Sequence, residues 1–97
     1  MNQETLFVFA KITPKAEYLI NAREAILAIV EKTRLESGCK QFVLHDGAND
    51  GCLYLYEEWL NEMSLEEHYL REYTKDVFEK YQNWLALPVE ITKMVGV

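Results

Sequence analysis

Among the 97 residues, three side chains are placed as if for chemistry: the carboxyl of Glu57, the indole of Trp59 and the imidazole of His68. A strand end and the first turns of the following helix bring them towards the same rim, where they could line a pocket. His45 and His68 are the two histidines of the chain, and imidazole is the side chain that changes charge near neutrality without help. A histidine in a cavity can take a proton from a substrate hydroxyl, and an indole can stack on an aromatic ring. Each has a plainer alternative. His68 lies four residues after Ser64, with Leu65 beside it on the inward arc, so its ring can face the sheet simply to pack. Trp59 can be a core anchor, a role compatible with ligand contact.

Other candidates divide in the same way. Tyr54, Tyr56, Tyr69, Tyr73 and Tyr81 could line an aromatic cavity or pack half-buried with each hydroxyl at the water boundary. Glu62, Glu66, Glu67 and Glu72 read as a solvated helix face rather than a metal site. His45 and Cys52 can oppose each other across a hairpin, but two ligands do not make a metal site. The chain has no Gly-rich phosphate loop, no C-x-x-C, no H-E-x-x-H and no G-x-S-x-G, so it offers no recognised nucleotide, zinc or serine-hydrolase arrangement.

Composition narrows the class further. The length suits one domain spanning 1–97, and 49% hydrophobic with 27% charged residues describes an ordinary folded chain. The net charge of −6, with no basic run, argues against nucleic acid as a partner. The longest apolar stretches, such as Leu6 to Ala10, are strand-sized, so neither export nor membrane insertion is expected and the location should be cytoplasmic. Cys39 and Cys52 fall on neighbouring strands, roughly 15 to 20 Å apart along the ladder at about 3.3 Å per residue, and are expected to stay reduced.

The elements that must position these groups follow from period and punctuation. Thr5 to Ile12 alternates Leu6, Val8, Ala10 and Ile12 with Phe7 and Phe9, a strand that is apolar on both sides. After Thr13 and Pro14 the spacing becomes helical: Leu19, Ala22, Ile26, Ile29, Val30 and Thr33 form one stripe, and the helix ends near Glu36, with Gly38 suited to a left-handed terminal position. Strands from Cys39 to His45 and from Cys52 to Trp59 flank the turn-rich segment 46–51 and make a hairpin. Ser64 and Glu67 have capping-box spacing, which starts a short helix at Leu65. A helix from about Thr74 to Leu85 follows, Pro88 closes it, and Val89 to Val95 forms the last strand.

The order βαββαβ predicts an α+β, ferredoxin-like domain: a four-stranded antiparallel sheet with helices packed on one side. One layer of helices covers one face of a sheet, yet these strands carry large apolar groups on both. Burying the second face is worth about 25 cal/mol per Å² of apolar area, so the sequence predicts a homodimer joined through its sheet faces.

The run Tyr54-Leu55-Tyr56-Glu57-Glu58-Trp59 followed by Ser64-Leu65-Glu66-Glu67-His68 resembles the signature of the antibiotic biosynthesis monooxygenase domain, in which a strand ending Glu-x-Trp precedes a helix bearing a histidine. Ile12-Thr13-Pro14-Lys15, Ala22-Arg23-Glu24-Ala25 and Glu36-Ser37-Gly38-Cys39 are similar to the same group, so the likeness covers nearly the whole chain. It implies a dimeric α+β barrel with a cavity in each subunit and oxidation of quinols or other phenolic rings by O₂ without a bound cofactor or metal. His68 would be the base acting on a phenolic hydroxyl, with Trp59 and Tyr73 holding the ring and Glu57 beside it. The chain departs from that pattern in having Arg71-Glu72-Tyr73-Thr74 where many relatives carry a second histidine. Haem-degrading relatives use an Asn on the first strand and a His on the last long helix. Here Ala10 stands at the former and no histidine follows His68, so haem degradation is set aside.

The leading expectation is therefore a cofactor-independent monooxygenase acting on a small aromatic molecule, a quinol or polyphenol. Two alternatives from other classes stand beside it. One is a non-catalytic ligand-binding or association domain of the same fold. The other is an isomerase of a small phosphorylated carbonyl compound, which would need Arg23, Arg34 or Arg71 as a cationic anchor inside the pocket.

Overall fold

In the computed structural model, which describes residues 4–97, the strands are β1 (Leu6–Ile12), β2 (Cys39–Asp46), β3 (Leu53–Trp59) and β4 (Glu90–Val95). The helices are α1 (Leu19–Arg34), entered through a 3₁₀ turn at Ala16–Tyr18, α2 (Glu62–Tyr69) and α3 (Glu72–Trp84). The strands form one antiparallel sheet in the order β2-β3-β1-β4, which is the ferredoxin-like arrangement the element order predicts. β1 sits at the centre because its alternation serves both layers. Leu6, Val8, Ala10 and Ile12 are buried towards the helices, and Phe7 and Phe9 point the other way, Phe9 remaining 43% exposed.

Register carries that alternation across the sheet. Val8 pairs with Glu57 of β3, and Glu57 in turn faces Phe42 of β2, so an acid sits in the helix-covered layer between two fully buried apolar side chains. The opposite face collects Phe7, Phe9, Val43, Tyr54, Tyr56 and Met94, with no helix over it. Phe9 and Tyr54 stack there with ring centroids 5.6 Å apart. The core proper joins the inward residues of β1 and β3 to Ala22, Ile26, Ile29 and Val30 of α1, Leu65 of α2, and Val77 and Tyr81 of α3.

Three local expectations are corrected. Gly38 is not left-handed, since Gly51 is the only residue with positive φ among those described. Glycine is required at 38 by crowding: a Cβ there would lie 2.4 Å from the Ser64 Cβ, closer than van der Waals contact permits. The same Ser64 does not cap α2. Asn61 does, its side-chain oxygen accepting the Ser64 N–H at 2.9 Å, so the helix starts one turn earlier than the Ser64/Glu67 pair suggests. His45 pairs with Tyr54 rather than with Cys52, and both cysteines are free thiols.

The exit of α3 is fastened to the exit of β1. The Lys15 amide donates to the Trp84 carbonyl and the Ala86 amide to the Thr13 carbonyl, each at 2.8 Å. This ties the ends of α3 and β1 together, and β4 is an exposed edge strand. A cavity lies between the three helices and the sheet and reaches β4 at Ile91. No described helix is long and apolar enough to cross a membrane.

Candidate functional site

Four of the predicted side chains meet in one region, but in two layers. His68 and Glu57 are on the cavity wall, together with Tyr69, Thr74, Phe78 and Tyr81. Trp59 and Tyr73, expected to hold the ring of a ligand, stand behind that wall. Trp59 is fully buried. Its ring lies against His68 with centroids 4.8 Å apart, and its Nε1–H donates to Glu57 Oε1 at 2.9 Å. Tyr73 donates its hydroxyl hydrogen to Glu36 Oε2. Of the tyrosines considered for an aromatic cavity, Tyr69 and Tyr81 line it, whereas Tyr54 and Tyr56 lie on the uncovered face of the sheet.

Glu36 is the participant that sequence reasoning missed. It follows α1, its side chain is only 5% exposed, and its Oε2 sits 2.9 Å from His68 Nδ1. The contact spans 32 positions of chain, and the segment Glu36-Ser37-Gly38-Cys39 singled out above gives no sign of which side chain Glu36 meets. The Arg71 Nε lies 3.9 Å from the other Glu36 oxygen, at the solvent edge of the cluster. With Nδ1–H donated to Glu36, the His68 Nε2 is the ring nitrogen left for the cavity, and no described residue bonds it. Phe42 closes the ring edge-on at 5.5 Å.

The electrostatics follow from this packing. Burial pushes the His68 pKa below its ordinary value, while the Glu36 hydrogen bond and charge pull it upward, so at neutral pH the imidazole is neutral and has a basic lone pair. Burial likewise raises the Glu57 carboxyl from its ordinary 4.5 to about 7, against the Trp59 hydrogen bond that favours its charged form. Burial raises the Tyr69 and Tyr73 hydroxyls to about 12, and that of Tyr81 upward as well. The phenols around the site are thus neutral throughout the physiological range.

Glu57 makes a stability prediction. Between pH 4.5 and about 7 the folded chain holds a proton that the unfolded chain releases, so this group's contribution falls as pH rises through that interval. Glu57→Gln keeps an acceptor for the indole and removes the buried charge. The variant is expected to match the wild type near pH 4 and to exceed it by up to about 3 kcal/mol at pH 8 in denaturant titrations. A constant difference across that range would show that Glu57 titrates normally.

The cavity has a volume of about 30 Å³, room for roughly one water molecule. Phe78, 38% exposed, and Tyr69 and Ile91 belong both to its wall and to an open groove along α3 and β4. The interior volume is smaller than an aromatic ring, so a ring fits only if side chains of this wall move. None of Arg23, Arg34 and Arg71 lines the cavity: Arg23 pairs with Asp46, Arg34 donates to the Phe42 carbonyl and Arg71 approaches Glu36. The cationic anchor required for a phosphorylated ligand is therefore missing from that wall. No group of three or more potential metal ligands occurs among the described residues.

Known proteins resemble the chain over nearly its whole length. The profile of the family described as "Antibiotic biosynthesis monooxygenase" matches residues 5–80. The Mycobacterium tuberculosis protein named "Putative monooxygenase Rv0793" is 27% identical over 85 residues, covering 88% of this chain and 84% of that protein. Its solved structure superposes with a TM-score of 0.91 at 25% identity over 96% of this chain and 95% of that one. The structure of PA3566 from Pseudomonas aeruginosa gives a TM-score of 0.91 at 25% identity, covering 98% and 96% of the two chains. A conserved protein from Methanosarcina mazei Go1 gives 0.87 at 26% identity, covering 95% and 92%.

Proposed function

The chain belongs to the antibiotic biosynthesis monooxygenase family, and from that premise we propose that it oxidises a small hydroxylated aromatic molecule, a quinol or polyphenol, with O₂ and without a bound cofactor. The observation that carries this reading is the buried His68, with Nδ1 2.9 Å from Glu36 Oε2 and its ring on the wall of an aromatic-lined cavity. Such an imidazole takes the proton of a phenolic hydroxyl. The phenolate is electron-rich enough to pass one electron to O₂, and the resulting radical pair joins to form a carbon–oxygen bond. The His68 imidazolium returns its proton to the peroxide, and the O–O bond breaks as the attacked carbon gives up its C–H hydrogen to the leaving oxygen. One oxygen atom stays on the ring as a carbonyl, the other leaves as water, and the ring supplies the electrons and the two hydrogens. Exclusion of bulk water by Phe78 and Tyr69 protects the intermediates.

Oxygen uptake with a panel of reduced quinones in metal-free buffer tests the proposal. Consumption above the uncatalysed rate for at least one member is expected, and none across the panel would reject it. The small volume favours a second reading, a domain that binds or associates without turnover. Saturable ring binding without oxygen uptake would support it.

The same proposal includes a homodimer through the uncovered sheet face, supported by the aromatic patch of Phe7, Phe9, Tyr54 and Tyr56 that no helix covers. Sedimentation of the wild type should give twice the 11.4 kDa chain mass at micromolar concentration. Phe9→Asp places a charge at the centre of the patch and is expected to yield monomers. A wild type that sediments as a monomer would remove the dimer from the proposal.

A further inference from the structure

One oxygen of Glu36 serves two donors. His68 Nδ1 lies 2.9 Å from Oε2, and the Tyr73 hydroxyl donates to the same atom. The other oxygen faces the Arg71 Nε at 3.9 Å, where charge acts but no hydrogen bond forms. The crowding on Oε2 is built by the joint between two helices. His68 is in the last turn of α2 and Tyr73 in the first turn of α3, so the bend between them aims both side chains at the carboxylate that follows α1. The His68 and Glu36 side chains are almost wholly buried, and the half-buried Tyr73 ring has the Lys32 ammonium 5.6 Å from its centroid. Thr74 Oγ1 stands 3.5 Å from His68 Nδ1, at the outer limit of a hydrogen bond, so Glu36 remains the main partner of that nitrogen.

We propose that Tyr73 is a positioning residue for His68: its hydroxyl shares Glu36 Oε2 with the His68 Nδ1–H, which holds the carboxylate in place and limits how strongly it can keep a second proton on the imidazole. This rests on the base role given to His68 above and names the group that adjusts it. A carboxylate oxygen that already accepts one hydrogen bond has less charge to offer another donor. Without the phenol, Glu36 would favour the charged ring more strongly, and His68 would be a poorer acceptor for a substrate proton at neutral pH. Burial and then the Glu36 bond raise the Tyr73 hydroxyl to about 12, so it donates throughout the range in which an imidazole titrates. Arg71 works in the same direction through its charge, lowering the His68 pKa. The other titratable groups around the ring are Glu57, bonded to the Trp59 indole and titrating at about 7, and Tyr69 and Cys39, whose protons burial retains. All three are common to every variant compared below.

NMR titration of the two histidines reads the proposal without turnover, with His45, exposed on β2, as the internal reference. In the wild type the neutral His68 ring should carry its hydrogen on Nδ1, a result that needs no substitution. Tyr73→Phe keeps the ring beside Lys32 and removes the hydroxyl, and the His68 pKa is expected to rise by about half a pH unit. In a Glu36→Gln background the same substitution should leave it unmoved, because the hydroxyl acts through the carboxylate. A neutral wild-type ring protonated on Nε2, a His68 pKa that does not rise in Tyr73→Phe, or a rise that persists in the Glu36→Gln background would each overturn the assignment. Oxygen uptake is read separately. The acid limb of kcat/KM follows the loss of neutral His68, so in Tyr73→Phe it should move to higher pH. Turnover with an unmoved His68 pKa removes the Tyr73 role alone, and a raised pKa without turnover removes the oxidation while the Tyr73 assignment stands.

Discussion

His68→Ala is expected to lower kcat/KM for the ring oxidised in this cavity by about 10² to 10⁴-fold, the range that a positioned general base supplies. The effect should fall on kcat, because the substitution removes a proton acceptor and leaves the aromatic wall of Tyr69, Phe78 and Tyr81 in place. Glu36→Gln offers the finer measurement. Its amide oxygen can still accept the Nδ1–H, so the ring keeps its orientation, but the charge that pulls the His68 pKa upward against burial is gone. The imidazole becomes a weaker base. The acid limb of the pH profile for kcat/KM should move to lower pH and the plateau should drop. Loss of activity with an unmoved acid limb would show that Glu36 only packs, and full activity in His68→Ala would reject the base assignment.

Trp59→Ala is expected to cost about 3 to 5 kcal/mol in denaturant titrations, the usual range for deleting a fully buried aromatic. That is a large part of the 5 to 15 kcal/mol by which domains of this size are typically stable. The indole is 0% exposed, lies against His68 and donates to Glu57, so its loss opens a void and removes a partner from a buried acid at the same time. Trp59→Phe separates the two effects. The phenyl ring refills much of the space, while Glu57 loses the hydrogen bond that favours its charged form. Its pKa should rise further, and the pH above which Glu57 weakens the fold should rise with it. A variant that unfolds near the wild-type midpoint in the alanine case would mean that the indole is not the anchor of this layer.

The uncovered sheet face and the cavity interior are linked through β3. Successive residues of this strand serve opposite sides, with Tyr54 and Tyr56 on the outer face and Leu55, Glu57 and Trp59 on the inner. Whatever occupies the outer face also holds the strand that positions Glu57 and Trp59. If the sheet faces associate, Phe9→Asp should reduce ring oxidation as well as the sedimenting mass, although Phe9 is absent from the cavity wall.

Much of this was legible in the chain itself. The two-residue alternation of Leu6 to Ile12 and of Leu53 to Trp59, the helical stripe from Leu19 to Thr33 and the turn chemistry of 46–51 specify the elements, their order and the two-faced sheet, because these are periodicities of a local backbone. Glu57, Trp59 and His68 were also readable as a group, since a strand and the helix after it are neighbours in sequence and in space. The roles inside that group were decided by tertiary structure. Glu36 reaches His68 across 32 positions, Gly38 is needed because Ser64 crowds it, and Trp59 and Tyr73 stand behind the wall that Tyr69, Phe78 and Tyr81 form. Backbone period determines which side of an element a residue occupies. Which distant side chain it then meets depends on how separate elements pack, and the sequence around either partner carries no mark of that meeting.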